Sequence, residues 1–420
     1  MRSFVVVGMG FGDEGKGSVV DWLTREEGAS LVVRFNGGAQ AAHHVVCPDG
    51  REHTFNQFGS GTFAGASTFL SKDVFINPLA LATEAAALKD LGIDEPFRRV
   101  YVHAEAPVTT PYHVALNRLR ELSRGDGRHG SCGMGIAETM LDFKAGRVIK
   151  FGDLEAGNLW RWKLRDLAKE KLATAQMECP RPEEPTQAWW DAYEILRRGA
   201  RSGAGDVEET FSIVANNVRL IQDYSFPLAK PVIFEGAQGI LLDQDWGFAP
   251  YHTWSRTHSE NARRIIADKG ETTILGVTRA YLTRHGRGPF PTEDATVAEP
   301  DTTNPTNNWQ EDFRLGWPDL ALLRYAAKVD GNLDGLVVTC MDKLKHPVTL
   351  YSEDYIDLPD GEVPSPSDDT THLMMQAEPY YRWTPSEELP QLLASAAGVP
   401  LYAVSYGRTA LEKHSVTLSA

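Results

Sequence analysis

The residues best suited to chemistry lie in the stretch GMGFGDEGKGSVVDWL, residues 8–23, which follows a short β-branched run. Glycines at a turn after a strand let backbone N–H groups approach an anion closely, and a lysine adds a positive charge. A Walker A loop has the form G-x-x-x-x-G-K-[ST], and here Gly17 stands where the magnesium-binding hydroxyl belongs. The stretch is therefore predicted to bind phosphate, but not as an ordinary Walker A loop does.

Asp13 lies in the middle of this loop. A carboxylate there repels phosphate unless a metal ion lies between them or the carboxylate takes up a proton during the reaction. The structural alternative is that Asp13 and Glu14 only stabilise the N-terminus of the following helix, where acidic residues are favourable. The loop by itself leaves both interpretations open.

Two further stretches combine a strand-like run with polar side chains that suit catalysis. In VVRFNGGAQAAHHVV, residues 32–46, small residues permit close backbone approach, and a histidine after them can act as an acid or a hydrogen-bond donor. In IFEGAQG, residues 233–239, Gln238 offers a donor and an acceptor, as recognition of a base edge requires. Together with Asp13, these stretches favour chemistry on a nucleotide base over simple helix capping.

The three stretches resemble motifs of the adenylosuccinate synthetase family, namely W-G-D-E-G-K-G, F-Q-G-G-x-N-A-G-H-T, and F-E-G-A-Q-G with a threonine further along. Other segments resemble the family in the same order along the chain. They are AYLTRHGRGPFPTE (280–293), GWPD (316–319), VTCMDKL (338–344) and VSYGRT (404–409). The resemblance implies an α/β fold in a single large domain, residues 1–420, with a mainly parallel β-sheet flanked by helices and a P-loop-like nucleotide site.

The resemblance also implies a reaction, in which GTP and Mg²⁺ are used to join aspartate to C6 of a 6-oxopurine nucleotide such as IMP. The purine oxygen is a poor leaving group and is first phosphorylated. This step needs Asp13 to remove the N1 proton and His43 to stabilise developing charge. The implied metal ligands are the Asp13 side chain and the Ala42 carbonyl. The residues implied to hold the NTP phosphates are Gly12, Glu14, Gly15, Lys16, Gly17, Ala42, His43 and His44.

A second set of positions is assigned by the resemblance to the purine nucleotide. Its members are Asp13, Gln40, Ser131, Cys132, Arg147, Gln238 and Thr253. Cys132 and Met134 replace a threonine and an arginine of the family. Arg147 is adjacent to Gly146, which aligns with an arginine that the partner subunit contributes, and the resemblance therefore implies a homodimer.

The predicted amino-acid loop, NNWQEDFRLGW at residues 307–317, departs most from the family. The family has threonines and arginines there, and of its cations only Arg314 persists. We assign the amino acid to Asn308 and Arg314, with Arg284 and Arg287 as further cations for its carboxylates. Aspartate is the first candidate, and a different amino acid stays open.

The predicted site for the NTP base is altered as well. Asp342 matches the acid that reads the guanine N1 and 2-amino donors, and Ser405 and Gly407 complete the set. Cys340 replaces the family lysine, so that ATP is admissible beside GTP.

Two alternative functions stay open at this point. Some phage members of the family make 2-aminoadenylosuccinate from GMP or dGMP, with a small residue at the opening aspartate; retention of Asp13 favours a hypoxanthine nucleotide. The second alternative is an inactive nucleotide-binding homologue, suggested by the altered 307–317 loop and disfavoured by the presence of both Asp13 and His43.

These residues must be positioned by a regular framework, and the sequence predicts one. Several apolar runs are apolar at every position, which is typical of strands covered by helices on both faces. The predicted strands are 3–9, 30–35, 99–103, 231–236, 273–278, 335–340 and 400–405, and the predicted helices are 79–91, 110–123, 157–175, 187–199 and 318–329. Their alternation predicts a mainly parallel sheet. The polar stretch 295–312 is predicted to be a loop that is either functional or disordered, and the acidic stretch 352–370 to be exposed.

The composition disfavours nucleic-acid-binding, zinc-ribbon, disulfide-rich and membrane proteins. With 57 acidic and 42 basic residues, the formal charge of −15 disfavours a nucleic-acid-binding surface. The 4 cysteines form no C-x-x-C pair, which disfavours a zinc ribbon or a disulfide scaffold. There is no charged and apolar leader and no apolar run of about 20 residues. We therefore expect a soluble, cytoplasmic protein with no membrane partner.

Overall fold

The computed structural model describes residues 2–203, 205–224, 230–267, 270–298, 309, 312–356, 358 and 362–416. Strands and helices alternate along most of this length. The strands are β1 (Arg2–Gly8), β2 (Leu31–Arg34), β3 (His43–Val46), β4 (Glu52–Phe55), β5 (Ser67–Leu70), β6 (Val100–His103), β7 (Arg219–Ile221), β8 (Val232–Gly239), β9 (Glu271–Arg279), β10 (Leu282–His285), β11 (Phe313–Gly316), β12 (Gly335–Thr339), β13 (Val348–Tyr355), β14 (Pro379–Pro385), β15 (Leu401–Ser405) and β16 (Lys413–Ser415). The helices are α1 (Lys16–Glu26), α2 (Pro78–Asp90), α3 (Pro111–Ser123), α4 (Ile136–Lys144), α5 (Leu159–Glu178), α6 (Gln187–Ser202), α7 (Gly205–Asn217), α8 (Glu260–Ile266), α9 (Leu320–Asp330), α10 (Asp368–Gln376) and α11 (Leu389–Ala396).

One ten-stranded sheet organises the molecule, in the order β16-β15-β12-β9-β1-β8-β2-β5-β6-β7. Its neighbouring strands are parallel except for β16, which pairs antiparallel to β15. The carboxyl ends of the parallel strands consequently meet at one edge of the sheet, where α/β folds bind their ligands. The predicted fold class, an α/β fold around a mainly parallel sheet, is confirmed.

Strand β1 shows why the apolar runs predicted buried strands. Six of its seven residues are buried. Successive side chains of a strand point to opposite faces, so Val5 and Val7 enter one apolar cluster while Phe4 and Val6 enter another. Helices cover both faces of the sheet, and none of the helices in the described ranges is long and apolar enough to cross a membrane.

The prediction that residues 352–370 are exposed is wrong for part of that segment. Its first residues belong to β13, which pairs antiparallel with β14, and Ser352 and Tyr355 are buried. The Tyr355 hydroxyl donates to the buried Asp319 carboxylate over 2.5 Å. The acidic residues Glu353 and Asp354 lie between these two buried side chains and are themselves partly buried. Of the predicted loop 295–312, residues 299–308, 310 and 311 lie outside the described residues.

A buried polar network joins α3, α4 and α5 behind the turn at residues 130–135. His113 accepts the N–H of Thr110 at Nδ1 over 3.0 Å, so its Nε2 carries the proton and donates to Asp142 over 2.9 Å. Lys171 donates to the same carboxylate over 2.7 Å. Burial by itself raises the pKa of Asp142, but the hydrogen bonds from His113 and Lys171 outweigh it and lower that pKa to about 2.

We predict that Asp142→Ala lowers the free energy of unfolding by about 3–5 kcal/mol, because the buried Lys171 ammonium loses its hydrogen-bonded carboxylate and keeps only Glu170 at 3.9 Å. Since the pKa of Asp142 falls on folding, its contribution is complete above pH 3.8 and is lost as the pH falls towards about 2. Urea unfolding at a series of pH values measures both effects. The exposed pair Lys328–Glu362 provides the control, and Glu362→Ala should leave the unfolding free energy unchanged. Equal effects of the two substitutions would contradict the assignment.

Candidate active site

A cavity of about 460 Å³ lies at the carboxyl edge of the sheet. Its walls come from the segments that follow β1 and β2, from the end of β8 and from the turn before α4. The residues of the predicted site that line it are Gly12, Asp13, Gln40, Ala42, His43, Ser131, Cys132, Gln238 and Thr253. Residues from distant parts of the chain thus meet where the parallel strands end.

The donors of the glycine loop after β1 bind a carboxylate of the same loop, that of Glu14. The Glu14 carboxylate accepts the N–H groups of Gly10 over 2.9 Å and of Gly12 over 2.7 Å. Lys16 donates to the same carboxylate over 2.6 Å and to the Gly12 carbonyl over 2.7 Å. Glu14 and Lys16 are buried and do not line the cavity, nor do Gly15 and Gly17. Two donors that the sequence predicts for phosphate, the Gly12 N–H and the Lys16 ammonium, are therefore directed at Glu14.

Asp13 does not cap the following helix. Helix α1 begins at Lys16, and its N-cap residue, Gly15, makes no side-chain capping bond. The Asp13 carboxylate is 21% exposed and lies on the cavity wall, with its Oδ2 3.7 Å from Nε2 of His285. No capping hydrogen bond is therefore made at this helix end, and the Asp13 carboxylate lies at the cavity.

His43 is oriented by a buried carboxylate. Its Nδ1 lies 2.5 Å from Oε1 of Glu235, which is fully buried in β8 and also accepts hydrogen bonds from Ser60. Burial, opposed by Glu235 and aided by Arg34, lowers the pKa of His43. Burial acts to raise the pKa of Glu235, but Arg34 and His43 hold it well below its ordinary range. The ionised carboxylate therefore fixes the Nδ1–H tautomer, with Nε2 left for the cavity.

Two glutamine side chains at the cavity have polar atoms suited to a ligand. Both Oε1 and Nε2 of Gln40 are buried, and neither has a hydrogen-bond partner in the part of the chain that is described. Buried polar atoms are rarely left without a hydrogen-bond partner, so these two amide atoms indicate that a ligand binds here. Gln238 has a φ of 64°, a backbone conformation uncommon for a residue other than glycine, at the end of β8. Both side chains line the cavity, as the sequence analysis expected of residues that bind the purine nucleotide.

The turn before α4 forms the far side of the cavity. Glu121 accepts the N–H groups of Gly130 over 3.1 Å and of Ser131 over 3.4 Å. Asn117 donates to the Ser131 hydroxyl over 3.1 Å. The Cys132 thiol lies beside them, and burial raises its pKa, so it is a neutral group here. Side chains of α3 thus hold Gly130 and Ser131 in position.

Two of the arginines predicted to bind the carboxylates of the amino acid, Arg284 and Arg314, donate to backbone carbonyls of the protein. Arg284 is 1% exposed and donates to three backbone carbonyls, each over 3.1 Å. Burial and the neighbouring Arg314 lower its pKa to about 9. Arg314 donates to the carbonyls of Gly286 and Gly288 over 3.0 Å and pairs with Glu293. Arg284 and Arg287 both line the cavity, whereas Arg314 does not.

Two further predicted positions lie away from the cavity. Arg147 is half exposed and pairs with Asp142 over 3.5 Å and with Glu170 over 3.4 Å. His44 lies on β3, 3.5 Å from Arg408. Asn308 lies outside the described residues.

The positions predicted for the NTP base lie on the opposite side of the glycine loop. The Thr339 hydroxyl at the end of β12 donates to the Glu14 carbonyl over 2.7 Å, which joins that strand end to the loop. Asp342 follows in the next turn, after Cys340 with a φ of 60°. The Ser405 hydroxyl donates to the Gly407 carbonyl over 2.9 Å at the end of the neighbouring strand β15. These segments adjoin the loop without lining the cavity.

Several residues of this site had no role in the sequence predictions. Glu235, Ser60, His285, Asn117 and Glu121 all contact or support cavity residues. Only Glu235 carries a local signal, because a single acid within the apolar run PVIFEG is unusual for a buried strand. The others depend on contacts between remote parts of the chain.

The cavity wall contains oxygen donors for the expected magnesium ion. Asp13 and Ala42, the two implied Mg²⁺ ligands, both line the cavity. No group of three or more histidine, cysteine, aspartate or glutamate side chains suited to a metal occurs among the described residues. A carboxylate and a carbonyl are oxygen donors of the kind Mg²⁺ takes when water and phosphate complete its shell.

Comparison with known proteins identifies relatives over nearly the whole chain. The family model "Adenylosuccinate synthetase" matches residues 5–394. The adenylosuccinate synthetase of Syntrophus aciditrophicus is 32% identical over 97% of this chain and 96% of its own length. That of Desulforapulum autotrophicum is 34% identical over 82% of this chain and 78% of its own length.

Two solved structures share the fold. A fully ligated adenylosuccinate synthetase from Plasmodium falciparum has a TM-score of 0.75 at 19% identity, covering 99% of both chains. The succinoaminodeoxyadenylate synthetase of cyanophage S-2L, bound to dGMP and to dATP as an energy donor, has a TM-score of 0.58 at 16% identity. It covers 99% of this chain and 95% of its own.

We predict that Gln40→Leu raises the free energy of unfolding of the ligand-free protein by about 1–2 kcal/mol, because it removes two buried, unpaired polar atoms. The same change should weaken the binding of IMP by about tenfold or more. Thermal unfolding and titration calorimetry measure the two effects.

The matched control is Gln57, whose buried amide donates to the Asn77 carbonyl over 3.0 Å and accepts its N–H over 2.8 Å. Gln57→Leu should lower the free energy of unfolding. If Gln40→Leu destabilises the protein as much as Gln57→Leu does, the Gln40 amide has a structural role instead.

Proposed function

This chain belongs to the adenylosuccinate synthetase family, and from that premise we propose that it is an NTP-dependent C–N ligase acting on a 6-oxopurine nucleotide. In the proposed reaction aspartate is joined to C6 of IMP, with adenylosuccinate, a nucleoside diphosphate and phosphate as products. The proposal depends most on one observation: Asp13, His43 and the unpaired amide of Gln40 face one cavity.

Asp13 is the proposed general base. Its carboxylate takes the proton from N1 of the purine, and the electron pair moves to O6, which attacks the γ-phosphorus of the NTP. The bond from that phosphorus to the bridging oxygen breaks, and the nucleoside diphosphate leaves. The amine of aspartate then attacks C6 and displaces phosphate. The partly exposed position of this carboxylate at the cavity wall supports that role.

His43 is the proposed donor to the oxygens that become negative. Glu235 accepts the Nδ1–H, so Nε2 is the ring nitrogen left for the transferring phosphoryl group. Nε2 donates there only when both ring nitrogens carry a proton, a form that the carboxylate of Glu235 and the negative charge of a bound triphosphate favour. A donor fixed in advance stabilises a transition state more than one that must reorient. The glycine loop and Lys16 are proposed to hold the γ-phosphoryl group, and in that state their donors turn from Glu14 to the nucleotide.

The donor set at the cavity fits a magnesium ion. We propose that the Asp13 carboxylate and the Ala42 carbonyl hold it, with water and phosphate oxygens as the remaining ligands. When bound, Mg²⁺ neutralises negative charge on the transferring phosphoryl group.

A homodimer in the cytoplasm is the proposed form of the enzyme. Apolar side chains are exposed on and near α4 and α5, close to Arg147, and exposed apolar patches commonly mark protein interfaces. They are Leu141, Phe143, Leu159 and Trp162. Arg147 is then available to the nucleotide phosphate of the partner subunit. The cysteines are all free, which suits a reducing compartment.

A guanylate acceptor is the second candidate, as GMP or dGMP. It is favoured by changes in the nucleotide site, with Cys132 and Met134 in place of a threonine and an arginine. ATP is the second candidate for the phosphoryl donor, because Cys340 replaces the lysine beside Asp342. Another amino acid is the second candidate for the amine, since Arg284 and Arg314 are bound to backbone carbonyls.

We predict that purified protein releases phosphate fastest with IMP among IMP, dIMP, GMP and dGMP, each tested with aspartate and with GTP or ATP. Mass spectrometry of the products, with a mixture of the twenty amino acids in parallel, identifies the amine. Faster turnover with GMP or dGMP would favour the second candidate. No turnover with any purine monophosphate would contradict the proposed function and favour a homologue that only binds nucleotide.

We predict that Asp13→Asn lowers kcat by about 10²–10⁴-fold, as loss of a general base does, while IMP still binds. Steady-state kinetics and calorimetry separate the two effects. Asp245→Asn is the control, because that carboxylate is exposed and does not line the cavity. A variant of Asp13 that keeps a tenth of the wild-type rate would remove this residue from the chemistry.

A further inference from the structure

The contact between His43 and Glu235 continues to a third residue. Ser60 donates its N–H to Oε2 of Glu235 over 3.0 Å, and its hydroxyl donates to Oε1, the oxygen that also faces Nδ1 of His43. Ser60 and Glu235 are fully buried and His43 is 6% exposed. The carboxylate thus receives three donors within the protein interior, and two of them come from one serine.

The loop that carries Ser60 is itself held rigidly. The Glu84 carboxylate accepts the N–H groups of Asn56 over 2.9 Å and of Gln57 over 2.8 Å. Gly59 donates to Thr68 over 2.8 Å. A Cβ atom on Gly59 would approach Val32 to 2.7 Å, so this part of the loop lies directly against β2. Ser60 therefore has a fixed position from which to act on Glu235.

We propose that Ser60 is a positioning residue for His43. Its N–H and O–H hold the Glu235 carboxylate in the orientation in which one oxygen accepts the Nδ1–H of His43, so that Nε2 faces the cavity. The consequence for catalysis rests on the proposed function, in which His43 acts on the transferring phosphoryl group. The orientation and tautomer of the His43 ring do not depend on the proposed function.

The donor pattern determines what an amide would do in place of the carboxylate, as in Glu235→Gln. A backbone N–H can only donate, so Ser60 would hold the oxygen of the introduced amide at the present place of Oε2. The amide NH₂ would then face His43, whose Nδ1 would have to accept. Glu235→Gln is therefore expected to move the imidazole proton from Nδ1 to Nε2, although the side chain keeps its shape.

A matched control exists elsewhere in the fold. Ser259 donates its N–H over 2.8 Å and its hydroxyl over 2.9 Å to the carboxylate of Asp330, and it is 1% exposed. It does not line the cavity. Ser60→Ala and Ser259→Ala thus remove the same kind of buried hydrogen bond, one towards His43 and one away from it.

We expect Ser60→Ala to lower kcat about tenfold or more, with KM values for the nucleotides and the amino acid within about twofold of wild type. Ser259→Ala should leave kcat unchanged. The Nδ1 proton of His43, identified by its loss in His43→Ala, should give a downfield ¹H NMR signal that moves in Ser60→Ala and stays in Ser259→Ala. Nitrogen-15 labelling of histidine should show the tautomer change in Glu235→Gln.

The proposal is overturned if Ser60→Ala matches Ser259→Ala in kcat or in the position of the His43 signal, or if Nδ1 keeps its proton in Glu235→Gln. If Glu235→Gln does not fold, the comparison of Ser60→Ala with Ser259→Ala tests the proposal by itself. If the wild-type protein turns over no purine monophosphate, the proposed function fails, and the NMR comparison alone decides whether Ser60 orients His43.

Discussion

A single buried carboxylate, that of Glu235 in β8, connects the central sheet to the chemistry at its edge. It faces Arg34 on the neighbouring strand in the same register, and it accepts hydrogen bonds from His43 and Ser60. A buried charge is tolerated only when donors and opposite charge surround it. The sheet, the loop of Ser60 and the strand of His43 must therefore assemble together, and the orientation of the histidine follows from the fold itself.

The same device recurs around the cavity, where acidic side chains hold loops by accepting backbone N–H groups. Glu14 holds the glycine loop, Glu84 holds residues 56–58, and Glu121 holds the turn at residues 130 and 131. Each carboxylate satisfies N–H groups that a turn would leave unpaired, and the bonds are strong because the acceptor is charged. The acidic balance of the chain, which first indicated solubility, thus includes acids with a structural purpose.

Sequence reasoning captured what depends on local pattern. Apolar runs predicted β1, β8 and β12, and the glycine-rich turns after them predicted where Asp13 and Gln238 lie. It missed the hairpin of β3 and β4 because His43 and His44 begin a strand that is neither apolar nor regularly alternating. It also missed the role of Glu235, since that residue and His43 are 192 positions apart. The acid in the run PVIFEG indicates a buried charge, but a single sequence does not indicate which distant residue pairs with it.

The carboxylate of Glu14 in the glycine loop has a consequence for selectivity among anions. Because it is tethered, it competes with any incoming anion at a high effective local concentration. Inorganic phosphate offers the loop little more than the carboxylate already provides, whereas a magnesium-bound triphosphate adds contacts beyond the loop. In this state the enzyme would bind inorganic phosphate from solution only weakly. The phosphate released by the reaction would consequently be a weak product inhibitor.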